Sequence, residues 1–127
     1  MISSLNILIP VEPGVYTSVV DFYRSVVGLV TLSTGVSDQN NPWHCLQAPG
    51  VNVTIHTAED GRFPYPEFRP TGHGIALAIE VQDIDERVHR LASLGITVRN
   101  SADYADGMKA VSVLDPAGNV VEIWGSA

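Results

Sequence analysis

Cysteine is nearly absent. Cys45 is the only one in 127 residues, so no disulfide can form within the chain and a disulfide-stapled scaffold is excluded. That cysteine usage suits a reducing compartment, and a cytoplasmic location is the expectation. Basic side chains are also scarce: 7 stand against 14 acidic ones, for a formal net charge of −7. Seven scattered cations make a poor footprint for phosphates, which argues against nucleic acid as a partner. No apolar run approaches the roughly 18–20 residues that a membrane span needs. The first five residues, Met-Ile-Ser-Ser-Leu, lack the basic start of a secretory signal. Glycine-rich phosphate loops and a Gly-x-Ser-x-Gly elbow are missing too. What is present is a 45% hydrophobic composition, ample for the core of one domain of the usual ~100–150 residues.

The chain says nearly the same thing twice. Leu5, Ile7, Ile9 and Val11 alternate as a strand. After Glu-Pro-Gly, the stripe Val15, Val19, Phe22 and Val26, widened by Tyr16, Val20, Tyr23 and Val27, predicts a helix that ends at Gly28. Residues 29–33, 42–47 and 51–57 then read as three strands. The second half repeats the order. Ile75, Leu77, Ile79 and Val81 alternate, Asp83 and Glu86 form a capping box, and Ile84, Val88, Leu91 and Leu94 make a stripe that ends at Gly95. Strands follow at 96–99, 108–114 and 119–124. Residues 51–56 align without gaps to 119–124, so Val53 matches Val121, Thr54 matches Glu122 and Ile55 matches Ile123. A repeated supersecondary unit is more specific than any single motif. The expectation is one α+β domain of two βαβββ modules, 1–61 and 74–127. The connecting segment 62–73 has three prolines that keep it extended, with Phe63, Tyr65 and Phe68 covering core or a pocket mouth.

Each strand has two faces. Opposite the branched apolar residues lie Ser4, Asn6 and Leu8; Asn52, Thr54 and His56; Gly74, Ala76 and Ala78; and Val120, Glu122 and Trp124. If two curved mixed sheets face inward, these residues line a shared cavity of mixed polarity, as small-molecule sites do. Glu122 stands out, because a carboxylate among Val121, Ile123 and Trp124 is costly to bury without a partner. An edge-strand Glu on a solvated face is the equally weighted alternative. Cys45 reads as a buried structural thiol, Asp115 as turn chemistry, His89 as solvent-exposed, and Lys109 and Asp103 as solvated charges. His44 carries no signal.

Three segments, in order and spanning most of the chain, resemble the vicinal oxygen chelate superfamily of glyoxalase I, bleomycin-resistance proteins and extradiol dioxygenases. They are Asp-Phe-Tyr-Arg-Ser-Val-Val-Gly-Leu at 21–29, Val-Gln-Asp-Ile-Asp at 81–85 with Leu-Ala-Ser-Leu-Gly at 91–95, and Leu-Asp-Pro-Ala-Gly-Asn-Val-Val-Glu-Ile at 114–123. The resemblance implies the paired-module fold and homodimers, some with exchanged modules. It also implies a metal held by first-strand and last-strand side chains. The last-strand carboxylate maps onto Glu122. The other positions map onto Ala76 or Gly74, onto Ser4 or Asn6, and onto Thr54, so one strong ligand of the usual three or four survives. A set rebuilt from His56, His73 and Glu122 departs from the family pattern.

The leading expectation is therefore a small-molecule binder of the bleomycin-resistance type, without metal. Trp43 and Trp124 would stack on an aromatic ligand, with Tyr104 or the 62–70 segment near the mouth. Asn6, Asn52, Thr54, His56 and Glu122 would orient it, Glu122 suiting a cationic group. The rival is a lyase, isomerase or dioxygenase with Zn, Ni, Fe or Mn on Glu122 and His56, or a metal-free enzyme using Glu122 as general base. A subunit whose sheet face serves only as an interface is the third.

Overall fold

In the computed structural model, which describes residues 6–36, 40–57, 76–103 and 107–127, the apolar alternation resolves into two sheets of four strands. The chain divides into two compact units, Met1–Thr71 and Gly72–Ala127. The first holds β1 (Asn6–Val11), α1 (Tyr16–Asp21), β2 (Val30–Val36), β3 (Pro42–Ala48) and β4 (Val51–Thr57). The second holds β5 (Ala76–Val81), α2 (Ile84–Ser93), β6 (Asn100–Asp103), β7 (Met108–Leu114) and β8 (Val120–Ser126). Sheet order is β1-β4-β3-β2 in one and β5-β8-β7-β6 in the other, the same topology twice. Both sheets are mixed: β1 runs parallel to β4, β5 runs parallel to β8, and the other pairs are antiparallel. The two βαβββ modules expected from the repeat are what the chain forms. Segment 62–73, with Phe63, Tyr65, Phe68 and His73, lies outside the described residues, as do Ser4, Leu5, Gly74, Ile75 and Tyr104.

Each helix covers one face of its own sheet. In the first unit Val53 and Ile55 of β4 are buried together with Val19, Val20, Phe22, Tyr23, Val26 and Val27, and the rings of Phe22 and Tyr23 meet edge to face at 5.3 Å. In the second unit Ile84 and Leu91 of α2 are fully buried, as are Val113 of β7 and Val121 of β8. The stripe on α2 is narrower than expected: Val88 is only half-buried, and Leu94 is 44% exposed because it falls past the last helical turn.

The first helical segment is irregular. A short 3-10 turn, Pro13–Val15, precedes α1, and a π-helical turn, Phe22–Val27, follows it. The wider turn buries four side chains, Phe22, Tyr23, Val26 and Val27, where regular 3.6-residue spacing would turn some of them outward. Gly28, at φ 93°, ends the segment in the left-handed conformation that glycine adopts without strain. Its N–H and that of Leu29 both donate to the Tyr23 carbonyl, at 3.1 and 2.9 Å. The connection in the first module runs 17 residues from Val11 to Gly28, against 14 from Val81 to Gly95. The 3-10 and π turns absorb that difference.

Two strands depart most from the sequence reading. Residues 96–99 are not a strand, and β6 begins at Asn100. Gly95 turns left-handed at φ 73°, and the Ile96 N–H caps α2 by donating to the Leu91 carbonyl at 2.9 Å, so the chain is still leaving the helix where pairing was expected. Strand β2 continues to Val36 instead of stopping at residue 33, because a bulge between Thr31 and Ser33 re-registers it against β3. The capping box is as expected, with the Glu86 N–H donating to Asp83 Oδ1 at 3.0 Å. Asp115 is a turn residue: one oxygen accepts from the N–H groups of Ala117 and Asn119, and the other from Asn119 Nδ2.

Two substitutions test this framework by urea unfolding. Asp83→Ala removes the cap and is expected to cost about 1 kcal/mol. Gly125→Ala places a Cβ against the Val81 carbonyl across the parallel β5–β8 pair. The strands must part to admit it, for an expected loss of about 1–3 kcal/mol.

Candidate functional site

Side chains of register partners share a sheet face, and in both units the face opposite the helix carries the polar groups. In the first unit the rows are Asn6, Asn52 and Gln47; Leu8, Thr54, Cys45 and Ser33; and Pro10, His56, Trp43 and Gly35. The Thr54 hydroxyl donates to Asn6 Oδ1 at 2.9 Å, and the Cys45 thiol lies 3.9 Å from the same oxygen. That amide oxygen is thus committed within the face. Cys45 is buried, in keeping with a structural thiol. His56, 8% exposed, donates from Nδ1 to the Thr57 carbonyl at 2.8 Å. A carbonyl only accepts, so Nδ1 carries the hydrogen of this bond. Trp43, beside His56, lies across Gly35, where any Cβ would collide with the indole.

In the second unit the rows are Ala76, Val120 and Leu114; Ala78, Glu122, Ser112 and Asn100; and Glu80, Trp124, Ala110 and Ala102. Glu122 is half-buried, between Ala78 and Ser112. Trp124 is half-buried, with Glu80 as its register partner. One step further along, a depression of about 470 Å³ is lined by Glu80, Val81, Gln82, Met108 and Ser126. No Lys, Arg or His stands on the described part of this face. The cation nearest in sequence, Lys109, is on the helix side, where it pairs with Asp85 at 3.1 Å. It is solvent-exposed, as expected from the sequence, and has Asp85 as its partner.

Structural equivalence of the modules clarifies the ligand positions. Asn6 is the partner of Asn52 and Ala76 the partner of Val120, so Asn6 and Ala76 hold matching places on their first strands. Thr54 and Glu122 hold matching places on the last strands, opposite Leu8 and Ala78. The four positions thus offer one carboxylate, one hydroxyl, one amide and a methyl group. Among the described residues no three His, Cys, Asp or Glu side chains are grouped to hold a metal ion. His73 and Tyr104 lie outside the described residues.

A family model described as a glyoxalase-like domain matches residues 14–124. The chain belongs to the glyoxalase-like domain family. This places it in the vicinal oxygen chelate superfamily that the three sequence segments resemble. Solved structures share the fold. TnmS3, an antibiotic binding protein from a Streptomyces species, is 20% identical, with a TM-score of 0.73 over 100% of this chain and 98% of its own. Lactoylglutathione lyase from Agrobacterium tumefaciens is 21% identical, with a TM-score of 0.72 over 98% and 95%. A glyoxalase family protein from Enterococcus faecalis is 21% identical, with a TM-score of 0.70 over 94% of each chain. No curated protein matches the sequence at a significant level. Among the described residues of this glyoxalase-like chain, no helix is long and apolar enough to cross a membrane.

Sequence reasoning missed Glu80, Ser112 and Asn100. Glu80 was within reach, since the alternation Ala76, Ala78 continues to it. Ser112 and Asn100, which share a 3.1 Å bond from Asn100 Nδ2 to Ser112 Oγ, need the antiparallel register of β7 with β8 and β6. His44 also gains a setting. It pairs with Ile55 of β4, on the helix-covered face, and its Nε2 is 2.8 Å from the Thr31 hydroxyl. Desolvation, then the Arg24 charge, pushes its pKa below the usual histidine value, with Asp21 acting the other way. The unfolded chain then binds the proton more readily than the folded one. Stability is therefore full above about pH 6.5 and falls as the pH drops below that value. His44→Gln is expected to lose less stability than the parent between pH 7.5 and pH 5, measured as the shift in urea midpoint. The difference is small, because solvent screens a group this open.

Proposed function

We propose that this glyoxalase-like protein binds an organic cation with an aromatic or amphipathic body, and does so without a metal. One observation carries the reading: on the open face of the second sheet, Trp124 lies between two carboxylates, Glu80 across the strand pair and Glu122 two residues along β8, with no cation on the described part of that face. An indole attracts a cation to its ring face, and a neighbouring carboxylate adds Coulomb attraction in a partly desolvated setting. The depression beside Glu80 gives the ligand body Met108 to rest on. The first sheet supplies a second face without a carboxylate, with Trp43 for stacking and Asn52, Thr54 and His56 as polar contacts.

The metal-free part of the reading rests on donor chemistry. Glu122 has Ala78 and Ser112 as its strand partners, and the matching first-strand positions are Asn6 and Ala76. Neither Ala76 nor Ala78 can ligate, and the Asn6 oxygen already accepts the Thr54 hydroxyl. Charge supports the cation: a chain of net charge −7 repels a dicarboxylate ligand such as a glutathione thioether and steers cations toward its carboxylates.

Thermal-shift titration separates these chemistries. Phenanthridinium and acridinium dyes are expected to raise the melting temperature, and S-hexylglutathione is not. Glu122→Gln should weaken dye binding about tenfold, equivalent to about 1.4 kcal/mol, and Trp124→Ala at least as much. Elemental analysis of protein purified without chelator is expected to show less than a tenth of an equivalent of Zn, Ni, Fe or Mn. Stoichiometric metal, or a response to the glutathione thioether alone, would overturn the reading in favour of a metal-dependent lyase, isomerase or dioxygenase that uses Glu122 and His56.

A further inference from the structure

Glycine serves two different ends in this chain. At Gly28 and Gly95 the backbone has positive φ, a conformation that most other residues enter only with strain. Gly35 is not among the positive-φ glycines, and it lies inside strand β2. Glycine within a strand weakens the pairing and packs nothing, and such a position often marks the close approach of another group. Here that group is the Trp43 indole. Gly35 and Trp43 are register partners on the face opposite the helix. A Cβ on Gly35 would fall 2.7 Å from Cε2 and 3.0 Å from Nε1 of the ring, with Cζ2 closer still. The indole therefore fills the volume that any other side chain at this position would take, and it reaches over the outer strand.

The rest of that face decides what the ring can serve. Cys45, Thr54 and His56 are buried, whereas Ser33 and Gln47 are exposed and Trp43 and Gly35 half-buried. The ring is thus carried to the part of the face that a ligand can reach. In the matching row of the second sheet the indole of Trp124 has Glu80 as its register partner. The first face differs: its described positions hold no Asp, Glu, Lys or Arg. We propose that Gly35 is a specificity-determining residue of the first sheet: by withholding a Cβ it lets the Trp43 indole lie across β2, and the face so formed takes a flat, uncharged aromatic ring system. Aromatic pairs prefer offset stacking or edge-to-face contact, and either needs the protein ring held in one pose. An ionised ligand group meets no opposite charge at the described positions of this face, where desolvating it is unfavourable. The proposal rests on the reading of these faces as ligand surfaces and adds to it a second ligand class, set by a residue that the cation reading does not use.

Phenazine, flat and uncharged, is the probe. Equilibrium dialysis gives its affinity, and quenching of tryptophan emission reports where it sits. Gly35→Ala and Gly35→Val should each weaken phenazine binding at least tenfold, and Trp43→Ala should weaken it similarly. In the Trp43→Ala background, Gly35→Ala should weaken it no further, because the glycine acts through the indole. Far-ultraviolet circular dichroism verifies that each variant is folded. A measurement that leaves Gly35 in place tests the site independently: phenazine should quench part of the parent's emission, and Trp43→Phe should remove that quenched part. An acridinium dye is titrated alongside. A parent that binds phenazine and ignores the dye upholds this inference while the cation reading fails. A parent that ignores phenazine, an affinity unmoved by Gly35→Ala, a further loss from Gly35→Ala in the Trp43→Ala background, or quenching undiminished in Trp43→Phe would each overturn it.

Discussion

Parallel pairing of the first and last strands of each module governs everything else here. Two strands joined by a hairpin run antiparallel, and a parallel pair needs a long crossover. Between β1 and β4, and again between β5 and β8, that crossover includes a helix, which must lie on one face of the sheet. The helix claims the branched apolar residues and leaves the opposite face without cover from its own module. The candidate polar positions on the described strands therefore fall at alternate residues, and the two halves offer different sets at those positions.

The fold was legible because it is written in periodicities. Strand alternation from Ile7 to Val11, the capping box at Asp83 and the glycines at helix ends are local signals, and each appears where the residues indicate. The errors have local causes as well. Ile96 reads as the start of a strand by propensity, yet its N–H is committed to capping α2. Leu94 continues the apolar stripe in sequence but not in space, since the helix has already ended. The π turn at Phe22–Val27 was invisible because a helical stripe widened by Tyr23 and Val27 looks the same whether extra side chains spread around a regular helix or fill a wider turn.

The site was legible in part. Which residues share a face follows from period-two alternation, and Asn52, Thr54, His56, Glu122 and Trp124 lie where alternation puts them. Which residues adjoin across strands does not follow, because it depends on register. The commitment of the Asn6 oxygen to Thr54 and the place of Glu80 beside Trp124 both needed strand pairing to be known. Composition had already argued against nucleic acid through a shortage of cations. Pairing then accounted for one of those few cations, Lys109, by placing it on the helix side against Asp85.

The three additional residues between Val11 and Gly28 have a consequence for how such a chain can diverge. They are taken up inside the helical connection, by a tight turn at one end and a wide one at the other, before Gly28 returns the backbone to the sheet. Strands β2 to β4 keep the order they share with β6 to β8. Length changes on the covered side of a module are thereby insulated from the open side, whose side chains keep their places while the crossover drifts. Ligand preference in this architecture can evolve by substitution alone, one face position at a time, without renegotiating the packing that holds the sheet.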